Sequence, residues 1–255
     1  MKSTRYYFLL MSFLLLTFAI KAQETDLVET FPDSLSSLSR PVALRFLEIG
    51  VSANAYRGDL SGYDKFTACY HLGYKFNEGK RVNARVGIGF GFLTGENRLY
   101  RFTDANPNNF FRTPIFHISG ELHFNLLKTR NIMLYLSQGI GFLQYDPKTE
   151  KGEKLADLTN TRAIDEQYGK ISVMLPTGAG AVYVLKNSYS FGIQATFLNT
   201  QTDYLDNIGR YGIRDGNDNV FSLRFFMYAP LQFSKVRQVP LRIQKEKKSY
   251  THSLD

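Results

Sequence analysis

The stretch FTACYHLGYKF, Phe66–Phe76, alternates without a break. Phe66, Ala68, Tyr70, Leu72, Tyr74 and Phe76 fall on one face, while Thr67, Cys69, His71, Gly73 and Lys75 fall on the other. Side chains of an extended strand point alternately to its two faces, so this pattern predicts a strand with one apolar and one polar side. The rest of the chain repeats it. After the turn NEGK, Val82, Ala84, Val86, Ile88, Phe90 and Phe92 oppose Arg81, Asn83, Arg85 and three glycines. Phe116, Ile118, Leu122 and Phe124 oppose His117, Ser119, Glu121, His123 and Asn125, and Leu134, Leu136, Ile140 and Phe142 continue the apolar set.

Toward the start, Leu47, Ile49, Val51, Ala53 and Ala55 oppose Glu48, Gly50, Ser52 and Asn54. Toward the end, the apolar sets are Tyr189–Phe197 and Phe221–Met227, the latter opposing Ser222, Arg224 and Tyr228. Ile171–Leu185 is the least regular, with Pro176 inside it, and is read as one more strand. A soluble sandwich also alternates, but its buried face favours Val, Ile and Leu. Here the apolar face is loaded with Phe and Tyr toward its ends, and the opposite face mixes Gly with Arg, Glu, His and Asn. That is the signature of strands with lipid outside and a narrow polar lumen inside, and a membrane requires such a sheet to close.

Connection lengths point the same way. NEGK, LKTR and LKNS are short, whereas Arg57–Lys65, Thr94–Arg112, Asp146–Lys170 and Asn199–Asn219 are longer. Short periplasmic turns alternate with long extracellular loops in outer-membrane barrels. The fold expected is all-β: an eight-stranded antiparallel transmembrane β-barrel over residues 43–233, with N- and C-termini in the periplasm.

Residues 1–22 read as a signal peptide: Lys2 and Arg5 precede the apolar run Tyr6–Ile20, and Ala22 stands at the expected cut. The only cysteine, Cys69, lies far from that cut, which excludes a lipid anchor on the mature N-terminus and an internal disulfide. The net charge of +8 is unevenly spread. Residues 23–42, read as a periplasmic segment, hold one Arg against four acids; the tail 234–255 holds six Lys or Arg against Glu246 and Asp255. No basic patch interleaved with aromatics stands out, so nucleic acid is not an expected partner. Outer-membrane lipid is.

Eight strands leave an interior that side chains just fill. Glu48, Arg81, Arg85, His117, Glu121, His123 and Arg224 are expected there as a plug of paired charges, Glu121 with Arg85 or Arg224, rather than as a channel. Catalysis by Ser119 with His117 is disfavoured, because residues two apart on a strand sit about 7 Å apart along it. No cofactor is expected, and the lumenal histidines lack a nameable third metal ligand. In RDGNDN, Asp215, Asn217 and Asn219 match the start of a calcium loop, but Val220 and Phe226 break the pattern. Asp203 and Asp206, in NTQTDYLDNIG, are expected in a water-exposed extracellular loop where no partner residues converge for catalysis or a metal, with Asp203 accepting from loop amides and Tyr204 and Leu205 packing the loop across the barrel mouth.

EIGVSANAYRGDL, Glu48–Leu60, and TDYLD, Thr202–Asp206, together with NNFFRTPIFHISGELHFNLL between them, resemble a family of outer-membrane barrels. That family includes the barrel subunit of the type IX secretion machinery (the PorG type). The matching loop residues are Tyr56, Gly58, Asp59 and Leu60, then Thr202, Asp203, Tyr204, Leu205 and Asp206. The resemblance implies a non-enzymatic role, anchoring a periplasmic lipoprotein or ring components of the export machine. Residues 23–42 and the basic tail do not match the family. Two alternatives stand beside that role: a structural or surface-interaction barrel, and a lipid-modifying enzyme.

Overall fold

The computed structural model describes residues 43–78, 81–97, 108–129, 131–158, 161–163, 165–212, 214 and 216–233. The signal peptide, the segment 23–42 and the basic tail expected from the sequence lie outside these residues. Eight strands form one closed barrel in chain order: β1 (Ala43–Arg57), β2 (Gly62–Phe76), β3 (Val82–Glu96), β4 (Phe110–Lys128), β5 (Ile132–Tyr145), β6 (Ile171–Val184), β7 (Ser190–Thr200) and β8 (Asn219–Phe233). All neighbours are antiparallel, and β1 closes the ring on β8 from Ala43↔Phe233 to Arg57↔Asn219. Closure leaves no strand edge with unpaired backbone groups.

The register keeps each face consistent from strand to strand. Leu47↔Tyr74, Ile49↔Leu72 and Val51↔Tyr70 lie outside, and Glu48↔Gly73, Gly50↔His71 and Ser52↔Cys69 lie inside. Large apolar side chains cover the exterior: Tyr70, Phe90, Phe142, Phe197 and Phe225 are each about half exposed. Glycine makes the lumen wide enough for its contents. A Cβ at Gly87 would overlap the Arg85 guanidinium, and one at Gly89 would overlap the His117 ring.

Along the barrel axis the interior has three zones. A polar middle layer lies between two apolar clusters, one around Phe46, Met133, Val182 and Phe226 at the end holding Ala43, the other around Leu60, Leu93, Phe111 and Leu205 at the loop end.

Two expectations about boundaries are corrected. The first loop is not Arg57–Lys65: β2 begins at Gly62, which pairs with Arg57, so only residues 58–61 connect the strands. Gly62 pairs with Arg57 and Phe66 with Ala55, and Tyr63–Lys65 bulge out between them, which is why this stretch lacks the apolar alternation. Arg81 precedes β3 and is exposed. Its parity is lumenal, but the strand has ended before the parity can act.

Candidate functional site

The mid-lumen layer is built around Arg85, which is 1% exposed. Its Nε and Nη2 donate to the two oxygens of Glu48 at 2.7 and 2.6 Å, a bidentate fork, and its Nη1 donates to Glu121 Oε1 at 2.8 Å. Arg224 Nη1 lies 3.6 Å from Glu48 Oε1 and 3.8 Å from Glu121 Oε1. Two acids from β1 and β4 thus face two arginines from β3 and β8. Gln194, not singled out by sequence, completes the layer: its Nε2 donates to Glu121 Oε2 at 2.9 Å, and its Oε1 accepts from Tyr135 Oη at 2.8 Å. Charge-assisted bonds in so dry a place are strong, and each of the four carboxylate oxygens of the layer accepts at least one donor.

Lys75 also points inward, 4.9 Å from the centre of the Tyr228 ring and 5.0 Å from that of Tyr135. His123 also stacks on Tyr135, their ring centroids 4.2 Å apart and the rings nearly parallel. His117 sits across Gly89 from His71, their ring centroids 5.5 Å apart. Ser52 Oγ donates to Asn54 Oδ1 at 2.9 Å and lies 2.7 Å from His71 Nε2. A hydroxyl has one proton, so with that proton on Asn54 the His71 Nε2–H is the donor to Ser52. Cys69 is buried beside them and accepts from Asn54 Nδ2.

At the loop end, the two segments that carry the family resemblance meet. Tyr56, at the end of β1, lies with its hydroxyl 2.6 Å from Asp206 Oδ2 and 2.7 Å from Asp218 Oδ1. Asp206 is fully buried, and Asp218 is 1% exposed. Asp206 Oδ1 accepts from the Ile208 amide at 2.8 Å, and Asp218 Oδ2 accepts from the Leu205 amide at 2.9 Å. The expectation of a water-exposed acid loop without partners is therefore overturned for Asp206. The β7–β8 loop folds inward because Leu205 and Ile208 bury against Leu60 and Phe111, and that drags the acids with them. Gly58 is required here, since a Cβ would overlap both the Tyr56 hydroxyl and Asp218.

The remaining motif residues brace the same plug. Asp59 accepts from the Arg214 amide at 3.0 Å. Thr202 Oγ1 is 2.8 Å from Tyr145 Oη. Tyr204 stacks on Tyr168 at 4.6 Å and donates to Glu166 Oε1 at 3.0 Å. Thr113 and Asn108 donate to the backbone carbonyls of Leu205 and Asp206 at 2.6 and 2.9 Å.

Burial drives the electrostatics of this plug. Asp203 is half-buried, and desolvation with the nearby charges of Asp59, Asp206 and Glu166 pushes its carboxyl up to about 8. Desolvation also raises Asp206 and Asp218 above the ordinary carboxylate range, each opposed by the Tyr56 hydrogen bond. The phenol has one proton to share between two carboxyls, so the arrangement is complete when one of the pair carries its own proton and donates it back to the Tyr56 oxygen. Asp215 of the calcium-like turn lies outside the described residues. Among the described residues, no group of three or more His, Cys, Asp or Glu is disposed to hold a metal ion.

No protein-family model matches the chain, and no curated protein matches it. Among solved structures, it is similar in fold to Neisserial surface protein A, at 8% identity over 73% of this chain and 97% of that one, with a TM-score of 0.48. It is likewise similar to the attachment invasion locus protein Ail of Yersinia pestis, in complex with the heparin analogue sucrose octasulfate, at 10% identity over 73% of this chain and 97% of that one, with a TM-score of 0.45. The outer-membrane enzyme PagL gives 13% identity over 72% of this chain and 99% of that one, with a TM-score of 0.33.

Proposed function

We propose that this protein is a closed, plugged barrel of the outer membrane whose role is mechanical: it anchors periplasmic components of a type IX-like secretion machine. The observation that carries the membrane part is the exterior. Leu47, Ile49, Val51, Tyr70, Leu72, Phe90 and Phe142 stand exposed on a surface that only lipid accommodates at that density. The filled lumen argues for a support rather than a conduit. Glu48, Arg85, Glu121, Gln194 and Arg224 occupy its middle, and apolar clusters close it above and below.

The secretion part is supported by the motif residues. Tyr56, Leu60, Leu205 and Asp206, which carry the resemblance, pack into one plug, as motifs that serve a single structural device would. Ala43 and Phe233 pair at the end that also holds the three short turns, the side this reading assigns to the periplasm, where a lipoprotein or ring would be met. The test is deletion of the gene, with export of secreted proteins and ring assembly as readouts, alongside purification of the intact barrel. Loss of export with recovery of a stoichiometric periplasmic lipoprotein supports the reading; unchanged export and ring assembly refute it.

A further inference from the structure

We infer that the outward rim formed by Arg112, Lys148 and Lys154 binds the phosphate groups of an outer-leaflet glycolipid. Two isolated bridges extend β4 sideways into the β5–β6 connection: Arg112 pairs with Lys148, and Lys148 pairs with Lys154, both antiparallel. Arg112 and Lys148 exchange both backbone hydrogen bonds, at 2.9 and 3.1 Å. Lys148 and Lys154 lie between the bonds Thr149 N to Glu153 O and Leu155 N to Pro147 O, both 2.9 Å, and so form the closer, non-hydrogen-bonded kind of pair. Directly opposed residues project to the same side, with Cβ atoms about 5 Å apart. Backbone pairing therefore sets three cationic side chains in one row.

That row faces outward, toward lipid. Arg112 shares its face of β4 with the exposed Phe116, and its guanidinium carbon lies 4.4 Å over the centre of the Phe92 ring, one of the outward aromatics. The row thus begins where the apolar belt ends, at headgroup height. Like charges directly opposed across strands are destabilising, and here two such pairs follow one another. Among the described residues, no carboxylate stands within ion-pair distance of any of the three. Of the nearby acids, Glu153 is paired with Thr149 and so falls on the opposite face, and Asp146 holds Lys170 at 3.0 Å. A phosphate bridging the row removes the repulsion. Arg112 offers it a planar fork, and the lysines offer point charges.

The inference rests on the membrane reading, so the experiment separates the two. The full-length barrel is reconstituted into bilayer discs of neutral phosphatidylcholine, alone or doped with diphosphorylated lipid A or with the same lipid A after phosphate removal. Native mass spectrometry then reads the lipid retained. The wild type is expected to retain the diphosphorylated form about tenfold over the dephosphorylated one, and the triple variant R112Q/K148Q/K154Q to lose that preference while inserting normally into the neutral discs. Equal retention of the two lipid A forms by the wild type, or undiminished preference in the variant, overturns the assignment. Complete displacement of lipid A by millimolar inorganic phosphate also overturns it, since free phosphate would then be the ligand. Failure of the wild type to insert into neutral discs would instead strike at the membrane reading itself.

Discussion

Tyr56 has one phenolic proton and two buried carboxyls within reach of it. The bonding is complete when Asp206 or Asp218 is protonated, and it is broken when both are charged, because burial then confronts two like charges across one oxygen. Asp203, pushed up to about 8, adds a third carboxyl of the same tendency. The sign of the linkage follows. A carboxyl whose folded value is raised binds its proton more tightly in the folded plug, so its stabilisation is full below the ordinary carboxylate value and is lost as pH rises through the folded value. The plug should accordingly be tightest in acid and loosen progressively as pH rises from the ordinary carboxylate range through the raised values of Asp206 and Asp218. Hydrogen exchange at the Leu205 and Ile208 amides, which these acids hold, reads this directly. Exchange should speed up about tenfold beyond its intrinsic rise with pH. In Asp218→Asn the amide can donate to Tyr56 and still accept from Leu205, so the extra acceleration should shrink. A variant as pH-sensitive as the wild type would rule out the shared proton.

At the scale of elements, β6 shows how a broken ladder is mended. Pro176 lacks an N–H, and the pairing of β5 with β6 lapses between Gln138↔Thr177 and Gly141↔Met174. Gln138, on the outward face, covers the gap: its Nε2 donates to the Pro176 carbonyl at 3.3 Å, and its Oε1 accepts from Thr177 Oγ1 at 2.9 Å. A polar side chain facing lipid thus has a local purpose. Replacing it by leucine adds apolar surface but strips the carbonyl of its donor in a place without water, so Gln138→Leu should cost about 1–2 kcal/mol in denaturant unfolding from lipid vesicles. Pro176→Val, which restores a ladder N–H, should recover most of that loss; no recovery would mean that Gln138 acts elsewhere.

The strands themselves were legible because period two records which face meets lipid, and even β6 could be read through its proline. At the mouth, the packing of Tyr204 and Leu205 was legible but the burial of Asp206 against Tyr56 was not, because the two lie 150 residues apart and loop contacts leave no period. Two leucines beside acids, Leu60 and Leu205, were the available hint that these loops turn inward. Arg81 was misplaced for the opposite reason: its parity was right, but parity says nothing about where a strand stops.

For the whole molecule, the decisive feature is that the lumen is filled from end to end. Glu48 and Glu121 are paired with Arg85 and Arg224, and apolar clusters lie above and below that layer. Ions crossing such a barrel would have to break bidentate bonds in a medium that gives no hydration in return. Planar-bilayer recordings of the reconstituted wild type should therefore show no steady unitary conductance. The same layer should also dominate stability. Arg85→Met removes the donor that holds both acids while roughly keeping the volume, leaving Glu48 to Arg224 and Glu121 to Arg224 and the Gln194 amide. The cost expected is about 3–5 kcal/mol, the range for breaking a buried ion pair from one side. Replacing all four charged groups by apolar residues of similar size should cost much less, because no charge is then stranded. If Arg85→Met unfolds at the wild-type denaturant concentration, the layer is not what holds the barrel. If the wild type instead conducts in regular steps, the lumen is a pore and the mechanical role loses its foundation.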